Sequence, residues 1–262
     1  MGKIIAVANQ KGGVGKTTTS INLAAGLAYL GQKILLVDLD PQGNATQGVG
    51  ATKQNFDLST YDLLIDKHEV EKVRIKLSSP PLDVIPATID LAGADLEMNK
   101  FEVGRDSILK KKLDRVKDQY DYILIDCPPS LGLLNTNALT AADSVIIPVQ
   151  SEYYALEGLT QLLSTIRLVQ KLFNPNLKIE GVLLTMVDLR TRLSIEVQQE
   201  VRKYFKERVY KNNIPRNVKL SEAPSRGQTI FEYDIKSEGA KAYAALSKEV
   251  LKNNQRGEKN GK

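Results

Sequence analysis

Short apolar runs alternate with amphipathic segments along almost the whole chain. The apolar runs, which predict β-strands, cover residues 4–8, 34–37, 82–85, 122–125, 144–149 and 181–185. Helix-like spacing of apolar positions predicts helices over residues 17–30, 103–117, 156–172, 194–205 and 238–251. Most strand segments are apolar at every position, which is typical of parallel strands covered on both faces. The alternation predicts a doubly wound α/β fold with a mainly parallel sheet and helices on both faces.

The length of 262 residues suits one α/β domain with a well-buried core. We assign residues 1–252 to this domain and expect the polar residues 253–262 to form a disordered tail. No apolar run approaches the roughly 20 residues needed to span a bilayer. The first strand pattern begins at residue 3, which leaves no room for a signal peptide, and a single cysteine allows no internal disulfide. We therefore expect a cytoplasmic protein.

Positive charge is concentrated in one part of the chain. There are 36 basic and 31 acidic residues, which gives a formal net charge of +5. Residues 190–220 contain nine basic and three acidic residues, a local charge of +6, so the rest of the chain carries about −1 (+5 less +6). Such a stretch indicates a polyanionic partner such as nucleic acid, although a solvated basic face has the same composition.

A glycine-rich turn follows the first strand and leads directly into a helix pattern. Its glycines allow the backbone to curl so that successive N–H groups point at an anion, and the helix that follows adds the positive end of its dipole. Lys16 would reach the β- and γ-phosphates of a nucleotide, and the Thr17 hydroxyl would ligate Mg²⁺. The predicted nucleotide-binding residues are Lys11, Gly12, Gly13, Val14, Gly15, Lys16, Thr17 and Thr18.

Carboxylates follow two further strands at the ends where parallel strands bind their ligands. Asp126 comes directly after the apolar run 122–125 and is a candidate magnesium ligand of the Walker B type. Asp38 and Asp40 follow the run 34–37, where they could orient a water molecule or act through the metal. The alternative for Asp40 is that its carboxylate only caps the turn before the next proline. For Asp38, a merely supporting role is equally open.

The segment from Lys11 to Thr17 resembles the deviant Walker A motif of the ParA and MinD superfamily, which has an additional signature lysine. Gln10 stands where the standard motif has glycine, as in this variant. Residues 148–158, which include the pair Tyr153-Tyr154, and residues 220–225 are similar to the Soj branch of the chromosomal ParA proteins. The resemblance covers the chain essentially end to end, and it implies a P-loop ATPase that uses ATP and Mg²⁺.

The resemblance also implies roles for individual residues. Lys11, the signature lysine, would cross the interface of an ATP sandwich dimer and touch the phosphates of the other subunit. Asp40 would position the hydrolytic water, so that Lys11, Lys16 and Asp40 form the catalytic set. The remaining assignments are Thr17 and Asp126 as metal ligands, and Pro215 and Asn217 as contacts to adenine. Without the resemblance, a Pro-Asn pair is usually just a turn.

In this family the ATP dimer binds double-stranded DNA without sequence preference, and a ParB-type centromere-binding protein accelerates its slow hydrolysis. We therefore expect a molecular switch for chromosome or plasmid partitioning, associated with the nucleoid. An arginine matching Arg190 contributes to DNA binding in Soj-like proteins, whereas Lys219 replaces a family arginine and keeps only its charge. The DNA-binding candidates are Arg190, Arg192, Arg216 and Lys219, with the lysine run 110–112 as the next place to look.

Other function classes are less well supported. A MinD-like cell-division ATPase would need an amphipathic membrane anchor, but residues 252–262 contain no hydrophobic side chain, so we expect no membrane contact. A relative of the nitrogenase iron protein would need paired cysteines, whereas Cys127 is the single cysteine of the chain. A metabolic P-loop kinase or synthetase stays open as an alternative, although the sequence contains no convincing acceptor-substrate motif.

Overall fold

A mainly parallel β-sheet forms the centre of the molecule. The computed structural model describes residues 2–66, 68–130, 132–151, 155–188 and 190–260. Its strands are β1 (Lys3–Val7), β2 (Ile34–Asp38), β3 (Ile75–Lys76), β4 (Asp83–Ile85), β5 (Tyr122–Asp126), β6 (Ser144–Gln150) and β7 (Lys178–Thr185). They form one sheet in the order β3-β4-β2-β5-β1-β6-β7, in which β3 is antiparallel to β4 and the other neighbouring pairs are parallel. The predicted doubly wound α/β fold is confirmed.

Helices connect the strands. The α-helices of the described residues are α1 (Lys16–Tyr29), α2 (Asn44–Gly48), α3 (Thr60–Ile65), α4 (Val70–Val73), α5 (Ala94–Met98), α6 (Ile108–Leu113), α7 (Leu133–Ala141), α8 (Ala155–Leu172), α9 (Arg192–Phe205), α10 (Lys219–Glu222), α11 (Ile230–Tyr233) and α12 (Glu238–Asn260). Short 3₁₀ segments lie at Ile89–Gly93, Arg105–Ser107, Lys117–Gln119, Lys206–Arg208 and Ala223–Arg226. Within the described part of the chain, no helix combines the length and the apolar composition that a membrane crossing needs.

Apolar side chains cover both faces of the sheet. Along β1, Ile4 and Ala6 pack into one hydrophobic cluster, whereas Ile5 and Val7 pack into a second cluster. Successive side chains of a strand point to opposite faces, so a strand that is buried on both sides is apolar at every position. This is the physical reason why the continuous apolar runs indicated parallel strands.

The strand order brings the carboxyl ends of β1, β2 and β5 together. In the register of the sheet, Asp126 is opposite Val7 on one side and opposite Asp38 on the other. Loops that leave neighbouring parallel strands at the same edge form the crevice in which α/β proteins bind their ligands. The sheet therefore places the glycine-rich turn beside the candidate carboxylates.

One predicted helix is shorter in the structure. The pattern predicted a helix over residues 103–117, but α6 covers only Ile108–Leu113 and is flanked by 3₁₀ segments. Gly104 has a left-handed backbone with φ of +80°, which a continuing helix cannot contain. The predicted helix is therefore present but shorter than the pattern indicated.

Two further elements are longer in the structure than predicted. β7 begins at Lys178 rather than at residue 181, and α12 continues to Asn260 instead of ending at residue 251. Because no proline follows residue 251, the backbone hydrogen bonds of the helix can continue even where the side chains are polar. The tail 253–262 and the domain limit at residue 252 stay predictions. The pair Tyr153-Tyr154 lies outside the described residues.

Candidate functional site

The glycine-rich turn leaves the carboxyl end of β1 and ends where α1 begins. Gly13 and Gly15 have left-handed backbones, with φ of +72° and +85°, which residues other than glycine rarely adopt. Gly15 is the N-cap of α1, and in the part of the chain that the structure describes no side chain caps the N–H groups of the first helical turn. These donors and the positive end of the helix dipole are available to an anion, so the turn has the chemistry of a phosphate loop.

Lys16 supplies the positive charge inside this loop. Its side chain is buried, and its Nζ atom donates a hydrogen bond to the backbone carbonyl of Lys11 at 3.1 Å. Burial lowers the pKa of Lys16, whereas nearby Asp126, Cys127 and Asp40 raise it. Since an ammonium group has three donors and Lys16 uses one of them within the described residues, two remain for phosphate oxygens.

Asp126 lies fully buried at the end of β5. Its Oδ1 atom accepts a hydrogen bond from the Ser20 hydroxyl at 2.8 Å, whereas its Oδ2 atom is buried without a well-formed hydrogen bond to any described residue. Burial and then the neighbouring carboxylate of Asp38 raise the pKa of Asp126 to about 8, although the hydroxyls of Ser20 and Thr17 act in the opposite direction. A buried carboxylate oxygen left unsatisfied beside a hydroxyl fits a hard divalent cation such as Mg²⁺.

Asp38 and Asp40 have different environments. Asp38 is engaged by the protein itself: Oδ2 accepts from the Thr46 N–H at 2.8 Å and from the Thr46 hydroxyl at 2.7 Å, and Oδ1 accepts from the Asp40 N–H at 3.1 Å. Burial raises the pKa of Asp38 to about 6, against the effect of these hydrogen bonds. Asp40 uses Oδ1 to accept from the N–H of Gln42 at 3.0 Å, as in a capped turn. Both carboxylate oxygens of Asp38 are therefore engaged by backbone and side-chain donors, whereas Oδ2 of Asp40 has no hydrogen bond among the described residues.

A cavity of about 530 Å³ joins the phosphate loop to a segment some 200 residues further along the chain. Gly15, Thr17 and Thr18 line one part of it, and Pro215 and Asn217 line another. Main-chain hydrogen bonds from Ile214 to Leu184 and from Arg216 to Val187 tie this second segment to the end of β7. The structure therefore brings three of the predicted phosphate-binding residues and both predicted adenine-binding residues into one cavity.

Thr185 and Tyr243 are among the residues of this cavity that the sequence analysis did not assign to the site. Thr185 ends β7, lines the cavity and donates its hydroxyl hydrogen bond to the Val14 carbonyl at 2.9 Å. Tyr243 of α12 also lines the cavity, and its hydroxyl lies 3.2 Å from the Thr19 hydroxyl. Thr185 could have been found as the last residue of a predicted parallel strand, where ligands bind. Nothing in the sequence singles out Tyr243, because helix packing alone brings it there.

The phosphate loop begins with Lys11, the residue expected at a dimer interface, and with Gly12 beside it. Lys11 is half-buried, and its N–H donates to the Asn9 side chain at 3.0 Å. Gly12 is exposed, and a Cβ atom added to it would meet no heavy atom of the described residues within 4 Å. Unlike Gly13 and Gly15, it does not have a left-handed backbone. The fold of one subunit therefore does not require glycine at position 12.

The four predicted DNA-binding residues are all exposed, and three of them are paired with acidic neighbours. Arg190 donates to both carboxylate oxygens of Asp188 at 2.8 and 2.7 Å. Arg192 pairs with Glu196 at 2.8 Å, and Lys219 pairs with Glu222 at 3.1 Å. Arg216 lines the nucleotide cavity, and together with Arg190 it also lines an open groove of about 880 Å³. The structure thus brings Arg190 and Arg216 together beside the candidate nucleotide site.

Comparisons with known proteins give relatives along nearly the whole chain. A model of the AAA domain family matches residues 2–179. The sporulation initiation inhibitor protein Soj of Bacillus subtilis is 61% identical over 253 residues, which are 97% of this chain and 100% of Soj. The chromosome partitioning protein ParA of Myxococcus xanthus is 52% identical over 252 residues, which are 96% of this chain and 89% of that protein.

A similar solved structure is that of cobyrinic acid a,c-diamide synthase from Mycobacterium smegmatis, which contains a bound ATP analogue and magnesium. It superposes with a TM-score of 0.86 at 37% sequence identity and covers 98% of this chain and 97% of that one. This sequence identity is well below the 61% identity of Soj. The partitioning proteins are therefore more similar to this chain than the synthase is. The chain belongs to the Soj/ParA family of chromosome-partitioning ATPases.

Proposed function

We propose that this protein is an ATP-dependent switch for chromosome or plasmid partitioning. ATP and Mg²⁺ close a homodimer that binds double-stranded DNA without sequence preference, and hydrolysis, accelerated by a ParB-type centromere-binding protein, opens it. The observation that carries the proposal is the free space at Gly12, next to a phosphate loop that contains two lysines. Since contacts within one subunit do not explain glycine at this position, we attribute it to the close approach of a second subunit, which a side chain would obstruct.

The cavity can hold ATP along its length. The N–H groups at the start of α1 and the Nζ atom of Lys16 would bind the phosphates, while Thr17 and the Oδ2 atom of Asp126, unsatisfied among the described residues, would hold Mg²⁺. At the other end, the Asn217 side-chain oxygen is already engaged by the N–H of Lys219 at 3.0 Å. Its NH₂ group is left to donate to a ring nitrogen of adenine, and the Pro215 carbonyl can accept from the exocyclic amine. Bound magnesium neutralises charge on the phosphate oxygens.

Asp40 is the residue that we assign to hydrolysis. It lies at the carboxyl end of the sheet beside Lys16, whose pKa it helps to raise, so its carboxylate is close to the phosphate loop. One oxygen is fixed by the turn at Gln42, and this fixes the orientation of the other oxygen. A carboxylate held in this way can accept a proton of a water molecule and orient that water towards the γ-phosphate.

Lys11 is the residue that we assign to the dimer. Lys16 already places its ammonium group inside the loop, where it contacts the Lys11 carbonyl. A second ammonium group at the same place would be repelled, because like charges at short distance in a partly buried site interact strongly. We therefore assign the Lys11 side chain to the phosphates of the second subunit, so that ATP favours the dimer over the monomer.

The basic residues near the cavity give the switch its DNA-binding face. Arg190, Arg192 and Lys219 are held by exposed ion pairs, which solvent screens and which contribute little to stability, so phosphate groups can replace their carboxylate partners. A dimer doubles the number of phosphate contacts that one monomer can make, and ATP thereby controls affinity for DNA. This activity places the protein on the nucleoid within the cytoplasm.

The proposal is tested by measuring DNA binding in three nucleotide states. Fluorescence anisotropy with a labelled random-sequence duplex is recorded with ATP, with ADP and without nucleotide, each with Mg²⁺ and at about 50 and 200 mM salt. We expect tight, salt-sensitive binding only with ATP, and none by Lys16→Ala, which serves as the control. Equal affinity in all three states would refute the switch, and addition of a cognate ParB-type protein should release the bound duplex faster.

A further inference from the structure

A second basic groove, remote from the nucleotide cavity, lies at the amino end of β7. Its volume is about 900 Å³, and it lies between the carboxyl-terminal half of α8, the first residues of β7 and the segment after α9. Its charged lining residues are Arg167, Lys178, Lys206, Arg208 and one acid, Glu207. Three separate parts of the chain therefore contribute positive charge to one groove, with a formal excess of three charges (four less one).

Among the residues that the structure describes, the four basic residues have no carboxylate partner. No ion pair or side-chain hydrogen bond involves Arg167, Lys178, Lys206 or Arg208 anywhere in the described part of the chain. This is the opposite of the situation at Arg190 and Arg192, whose charges are compensated by Asp188 and Glu196. A phosphate group that enters the groove does not have to displace a carboxylate, and it relieves repulsion among the four cations.

The geometry of α9 connects this groove with the predicted DNA-binding residues. α9 has 14 residues, and a helix of that length extends about 20 Å. Arg192 is its first residue, whereas Lys206 and Arg208 follow its last turn. Double-stranded DNA carries one charge per about 1.7 Å of its axis, so a 20 Å length presents about 12 phosphates. One duplex lying along α9 can contact both ends of the helix.

An aromatic side chain at the edge of the groove adds a neutral hydrogen-bond donor. Tyr204 is 64% exposed and lies against Phe205, with the two ring centroids 4.8 Å apart and the rings edge to face. Tyrosine hydroxyls are among the side-chain groups that donate hydrogen bonds to the DNA backbone. Protein surfaces that bind DNA are much more positive than surfaces that bind proteins, so the four unpaired cations favour DNA over an acidic protein.

We propose that this groove, formed by Arg167, Lys178, Tyr204, Lys206 and Arg208, is a second contact site for the phosphate backbone of double-stranded DNA. The inference rests on the proposed function, because it assigns further contacts to the same DNA. The groove is separated from the nucleotide cavity by the length of β7, whose eight residues extend about 25 Å. DNA binding can therefore be altered in the groove without altering ATP hydrolysis.

The test uses the double variant Arg167→Gln/Arg208→Gln in the full chain, bound to ATP. The control is Lys76→Gln, since Lys76 is exposed on β3, at the opposite edge of the sheet. Anisotropy with a random-sequence duplex between about 50 and 200 mM salt gives the slope of log affinity against log salt. Each phosphate contact that is lost should flatten this slope by about 0.9. We expect flattening by at least that amount for the double variant and no change for the control.

Hydrolysis of ATP without DNA and ATP-dependent dimerisation are measured on the same samples, and both should match the wild type. If the double variant is intact in these assays and keeps the wild-type affinity and slope, the groove does not contact DNA and the inference is wrong. If instead the wild-type protein shows no ATP-dependent DNA binding, the proposed function itself fails. The two failures are distinguishable because only the second concerns the wild-type protein.

Discussion

Gly12 allows a direct test of the sandwich dimer, because no contact with the described residues of its own subunit requires glycine there. A Cβ atom at this position meets no heavy atom within 4 Å, and the backbone is not left-handed. A substitution at an exposed site of this kind usually changes the free energy of unfolding by no more than about 0.5 kcal/mol. Gly15→Val is a contrast, since its φ of +85° imposes roughly 1–2 kcal/mol of backbone strain on any other residue.

In the dimer we expect Gly12→Val to prevent closure. The two phosphate loops approach each other, so every dimer would gain two branched side chains at a place where the partner has to fit. Forcing extra methyl groups into a fitted contact costs typically 1–3 kcal/mol for each side chain. Dimerisation should therefore weaken by about 2–6 kcal/mol, which is at least about 30-fold in the dissociation constant. Gly12→Ala adds one methyl group and should weaken the dimer less than valine does.

Sedimentation equilibrium with Mg²⁺ and a non-hydrolysable ATP analogue measures this dissociation constant. Thermal unfolding without nucleotide is the control for the fold, and the Tm of Gly12→Val should stay within about 2 °C of the wild type. A nucleotide titration should show that the variant still binds the analogue as a monomer. A folded, nucleotide-binding Gly12→Val protein with the wild-type dimer constant would show that the loops do not meet at Gly12.

Three further predictions concern single side chains. Lys16→Ala should abolish ATP binding, because it removes the ammonium group inside the loop, and isothermal titration calorimetry should detect no binding heat. Asp40→Ala should bind ATP and accumulate as a DNA-bound dimer that does not turn over; a variant that hydrolyses ATP at the wild-type rate would remove Asp40 from the mechanism. Asn217→Ala should raise the Kd for ATP about 3- to 10-fold, because one hydrogen bond to the nucleotide is lost. The Kd for a nucleotide with another base should rise less, and an equal rise for both nucleotides would exclude an adenine contact.

The sequence by itself determined the local parts of the site. Glycine has no Cβ atom, and residues other than glycine rarely adopt the left-handed backbones of Gly13 and Gly15, so the glycine-rich turn could be recognised without a structure. The strands were recognisable because burial on both faces makes every position apolar. Asp126 was recognisable because it directly follows such a run, at the end where ligands bind.

Only the tertiary structure decided which distant residues share a site. Tyr243 reaches the nucleotide cavity because α12 packs beside α1, with the Tyr243 hydroxyl 3.2 Å from that of Thr19. Arg167 and Lys178 share a basic groove with Arg208 because α8 and the start of β7 lie beside the segment after α9. Such contacts depend on how whole elements pack, and helix packing uses side-chain shape over many residues at once. A charge count along the chain could find the basic stretch 190–220, but it could not show which of its cations are paired and which are not.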